Sequence, residues 1–78
     1  MHEVGVAKEI LKVALQNAGG NKIKIINVEL AEDGHTTVQS LTDAFDLIAK
    51  GTVAEGAQLL IKKTDAMESR VSDIEVEK

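Results

Sequence analysis

Three residues at the start of the chain, Met1, His2 and Glu3, bring together donor groups that suit a divalent metal ion. A neutral imidazole is the commonest nitrogen ligand for Ni, Cu and Zn, and Met1 supplies a free amine one residue away. Covalent connection keeps them close. An amphipathic stretch follows at once, and the first amides of a helix have no intrahelical acceptor. The Met1 amine, the His2 amide, the His2 imidazole and the Glu3 amide can therefore surround one ion in a plane, a geometry that suits Ni(II) or Cu(II) rather than Zn(II) or Mg(II). Such a site needs Met1 to stay on the chain; methionine removal generally requires a small second residue, and His2 is not small. The plain alternative is a solvated terminus, with the Glu3 carboxylate opposing the helix dipole. A second group, Glu32, Asp33 and His35 in "AEDGH", lacks the spacing of a calcium loop and has a single imidazole, so it reads as a polar turn around Gly34. No nucleophile and base pair, phosphate-binding glycine loop or carboxylate pair stands out, so the chain is not expected to be an enzyme.

The elements that must position these groups follow from periodicity. Val4, Ala7, Leu11, Ala14, Leu15 and Ala18 form a helical stripe, widened by Val6, Ile10 and Val13, opposite a polar arc of Gly5, Lys8, Glu9, Lys12 and Gln16. Gly19 and Gly20 end it. In "KIKIINVEL", Ile26, Val28 and Leu30 alternate with polar residues as in a half-buried strand. Thr36 with Gln39 resembles a capping box before a second helix carrying Val38, Leu41, Ala44, Phe45 and Ile48. "QLLIKKT" and "RVSDIEVE" read as two further strands, with Leu59, Ile61, Ile74 and Val76 turned inward. The order α-β-α-β-β predicts an α/β fold of the two-layer α+β kind: two helices on one face of a small three-stranded mixed sheet, within a single domain over 1–78. Strand order is left open. Ile25, Leu60 and Val71 fall on the outer face, where they are either scattered aliphatics or a dimer patch.

Composition sets limits. With 78 residues, nine of them Ala, and Phe45 the only aromatic ring, the core is thin and self-association is an expected aid to stability. There is no Cys, so disulfides and thiolate zinc sites are excluded within these residues. The net charge of −4 repels nucleic acid. No segment reads as a secretory signal or a membrane span, which leads to an expectation of a cytoplasmic protein.

"MHE" at the start and "AFDLIAKGTVAEGAQLLI" from Ala44 to Ile61 resemble the HypA family, the nickel-incorporation proteins of [NiFe]-hydrogenase and urease maturation. "NVEL" at Asn27–Leu30 and "SDIEVEK" at the end are similar to the family's first and closing strands. The resemblance covers essentially the whole chain. It implies nickel held by the terminal amine, the second residue's imidazole and nearby backbone nitrogens, here Met1, His2 and Glu3. It also implies a HypB-like maturation GTPase and a hydrogenase large subunit as partners. Departures are Ala31 where Gly is usual, Asp43 where an apolar residue is usual, and "KKTDAMES" where the family carries a zinc module with paired Cys-x-x-Cys motifs. The expected function is a nickel-binding metallochaperone module, with Ni(II) and no zinc. The rival is a zinc-less interaction module that docks a GTPase or itself, using Lys8, Glu9, Lys12 and Gln16. "GTVAEGA" is expected to be a turn fixed by Glu55, with Gly56 allowing close backbone approach.

Overall fold

In a computed structural model of the chain, residues 2–31, 36–65 and 67–77 are described, His2 and Glu3 by their backbone alone. Helix α1 spans His2–Ala18, strand β1 Ile23–Ala31, helix α2 Val38–Ile48, strand β2 Gln58–Thr64 and strand β3 Arg70–Val76. The expected α-β-α-β-β order and mixed sheet are found. Strand order is β2-β1-β3, with β1 parallel to β2 and antiparallel to β3. Residues 65–69 thus carry the chain past β1, a lateral step of about 10 Å that five residues reach easily.

Helix α1 follows from its Ala7, Ile10, Ala14 and Ala18 spacing, all four of which are buried. It stops where Gly19 and Gly20 take φ of 60° and 83°, and the Asn21 N–H donates to the Ala18 carbonyl at 3.1 Å. Helix α2 is capped by Thr37, not by Thr36 as the Thr36/Gln39 spacing suggests. The Ser40 N–H donates to Thr37 Oγ1 at 3.0 Å and the Thr37 N–H donates to Ser40 Oγ at 3.1 Å. Thr36 is instead buried, so its side chain belongs to the interior.

The core lies between the helices and one sheet face. Phe45 and Leu41 from α2 meet Ile23, Ile26, Val28 and Leu30 from β1 in a single cluster, with Leu59, Ile61, Val71, Ile74 and Val76 packed against it. Two irregularities in the β1–β3 ladder alter which residues reach it. Ile23 pairs with Val76 and Ile25 with Glu75, so Lys24 is an extra residue on β1 and both Ile23 and Ile26 turn inward. Asn27 pairs with Asp73 and Val28 with Val71, so Ser72 is an extra residue on β3. Its Oγ donates to the Asn27 carbonyl at 3.2 Å. This second bulge corrects the expectation for Val71, which moves from the outer face to the core side beside Val28. The expected outer-face aliphatic patch shrinks to Ile25 and Leu60.

Candidate functional site

Helical backbone begins at His2, so the N–H groups of His2 and Glu3 fall in the first turn, where no intrahelical carbonyl is available. Met1 lies outside the described residues. The turn is carried by a helix that Ala7 and Ile10 fix to the core, so its position is set by packing that begins one turn later. Glu32, Asp33 and His35 also lie outside the described residues, between Ala31 at the end of β1 and the buried Thr36. Among the described residues, no three His, Cys, Asp or Glu side chains come together as a metal-holding group. No described helix is long and apolar enough to cross a membrane.

Just past the first turn, Gly5, Val6, Glu9 and Val13 of α1 form one wall of a groove of about 490 Å³. Met67, Glu68 and Ser69 from the link, with the start of β3, form the other. Met67 is 97% exposed, so the link's one large apolar side chain stands in solvent at the rim. Sequence reasoning missed this groove because its walls are far apart in the chain, and only Met67 amid polar neighbours gave a local signal.

The "GTVAEGA" segment is a run of successive turns. The Thr52 N–H donates to the Ala49 carbonyl at 3.0 Å, Glu55 N–H to Thr52 O at 3.1 Å, and Ala57 N–H to Ala54 O at 3.0 Å. Thr52 joins both sides, its Oγ1 donating to Ala49 O at 2.7 Å and accepting from the Ala54 N–H at 3.0 Å. Glu55 has the expected part, its Oε1 accepting from the Gly51 N–H at 3.2 Å. Gly56 differs from expectation: a Cβ there would meet nothing within 4 Å, so its φ of 80°, not close approach, calls for glycine. The whole segment is tied to the sheet, because the Ile23 N–H donates to the Val53 carbonyl at 2.8 Å. Its work is structural: it holds the first residue of the central strand.

The outer sheet face is polar. Arg70 Nε donates to Glu29 Oε1 at 2.7 Å, and Asn27 Nδ2 to Asp73 Oδ1 at 2.5 Å, both across the β1–β3 pair. These contacts are exposed, and ion pairs of this kind add little stability. On α2, Gln39 Nε2 donates to Asp43 Oδ1 at 2.8 Å, so Asp43 sits on the solvent side.

Residues 1–72 match the family described as "Hydrogenase/urease nickel incorporation, metallochaperone, hypA". Hydrogenase maturation factor HypA of Geotalea daltonii is 30% identical over 66 residues, covering 85% of this chain and 60% of that protein. The HypA of Trichodesmium erythraeum is 35% identical over 63 residues, 81% of this chain and 55% of that one. That of Chlorobaculum tepidum is 34% identical over 68 residues, with 83% and 60% covered. The chain spans between 47% and 61% of the length of the curated relatives it matches.

Proposed function

We propose, because this chain belongs to the HypA family, that it is a nickel-binding metallochaperone module whose cargo Ni(II) is held by Met1, His2 and Glu3. What supports the reading most is the family match from residue 1 together with a helix that begins at His2, which leaves the adjacent amides free to lose their protons to a metal. The Met1 amine, His2 amide, His2 imidazole and Glu3 amide close chelate rings around one ion. A four-nitrogen plane leaves both axial positions open, so a ligand from an acceptor protein can attack before the first donors leave. Release then depends on protons and on the acceptor.

The acceptors proposed are those the family implies, a HypB-like maturation GTPase and the large subunit of a hydrogenase, in the cytoplasm. Where the family's zinc module stands between the last two strands, this chain has only residues 65–69, with no thiolate, so the module is proposed to carry nickel without zinc. The rival, an interaction module, draws on Lys8, Glu9, Lys12 and Gln16, all exposed on one arc of α1.

Calorimetric titration of Ni(II) into tag-free protein tests this. His2→Ala and acetylation of the amine should each weaken binding about a hundredfold or more, since each removes a donor from the chelate. Equal, weak binding in all three forms would leave the interaction module as the better reading.

A further inference from the structure

Gly5 stands inside helix α1, one turn from its start, and nothing around it calls for glycine. Its φ is not in the left-handed region, and a Cβ there would meet nothing within 4 Å. It lines the groove beside Met67 and Glu68, but the same open space means that the groove does not require it either. Alanine would fit and would favour the helix, because glycine ranks below every residue except proline as a helix former.

The first turn is lightly held in other ways. The residue before it is Met1, whose thioether is a poor acceptor for the open N–H groups of a helix start. Gly5 is exposed, Val4 and Val6 are half-buried, and the first described residue seated in the core is Ala7. Residues 2–5 can therefore unwind while Ala7, Ile10, Ala14 and Ala18 keep the rest of the helix in place.

On the nickel reading above, on which this inference rests, the light hold has a use. A helix turns each successive amide by about 100° around its axis. A planar four-nitrogen ion takes adjacent amide nitrogens edge-on in a single plane. The His2 and Glu3 amides cannot do both, so loading requires the first turn to open. We infer that Gly5 is a positioning residue for the metal, a break point that lets residues 2–4 leave the helix and wrap the ion while Val6–Ala18 stays helical.

Two substitutions at Gly5 act in opposite directions. Gly5→Ala strengthens the helix without a clash, and should raise the metal-free Tm by about 2–4 °C while weakening Ni(II) binding about fivefold in calorimetric titration. Gly5→Pro removes a helical hydrogen bond and disfavours helical backbone at Val4, so the first turn is already open. It should leave Tm at or below the wild-type value, yet bind Ni(II) at least as tightly. In the wild type, Ni(II) should also speed hydrogen exchange of the Val6 N–H, whose helical acceptor lies in the first turn, and leave that of Ile10 unchanged. If the wild type binds Ni(II) tightly but the two variants match its affinity, or Gly5→Pro is the weaker binder, the break point is overturned and the nickel site stands. A wild type that takes up no Ni(II) overturns both.

Discussion

At the scale of single residues, the proposed nickel site makes a prediction about protons that separates it from simpler binding. A free imidazole titrates near about 6.5 and a terminal amine at about 7.7–8.0, and both must be deprotonated to ligate. Their protonated forms compete with the metal, so affinity is fullest above these values and falls as pH drops through them. If imidazole were the only titrating donor, moving from pH 8 to pH 6 would cost roughly fourfold. Amine and imidazole together cost more than about a hundredfold, and displaced amide protons steepen the slope further. Competition titrations at several pH values should therefore show the steep form; a shallow slope would place the ion on His2 without the terminus. The planar complex should also be diamagnetic, which its absorption spectrum reads directly.

At the scale of elements, the clearest tests concern how α2 and the turn before β2 are fastened. Thr37→Ala removes the acceptor for the Ser40 N–H and should cost about 1 kcal/mol in urea denaturation, while Gln39→Ala should cost only a few tenths. Gly56→Ala should cost about 1 kcal/mol through its positive φ alone, as nothing crowds the position. These same places mark how far the sequence could be read. Helix α1, the inward faces of β1 and β2 and the Glu55 contact were legible because each rests on neighbours in the chain. Thr37 as cap was not, because two adjacent threonines offer the same chemistry and burial of Thr36 decides between them. Val71 and Ile23 were misplaced or unplaced because a strict alternation of faces holds only until an extra residue intervenes, and the Lys24 and Ser72 bulges leave no local signature. The order β2-β1-β3 is likewise a matter of distant pairing, as a short link between two strands reads equally well as a hairpin.

For the molecule as a whole, the proposed site should be thermodynamically independent of the fold. The proposed donors are contiguous in the chain, so they are as close together in the unfolded protein as in the folded one. A ligand that binds both states equally does not shift the folding equilibrium. Saturating Ni(II) should thus leave the melting temperature within about 2 °C of its metal-free value. Phe45→Ala sharpens the point. Phe45 is fully buried at the centre of a core with no other aromatic ring, and its truncation should cost about 3–5 kcal/mol, much of the stability a domain this small can have. Circular dichroism should show that variant largely unfolded or melting far lower, yet its nickel affinity at neutral pH should stay within a few-fold of wild type. A large rise in melting temperature with nickel, or loss of tight binding along with the fold, would mean that residues distant in sequence complete the site. On the proposed reading, what the fold would contribute is presentation: helix α1 begins at His2, one turn before the groove bordered by Met67 and Glu68, where an acceptor could meet the cargo.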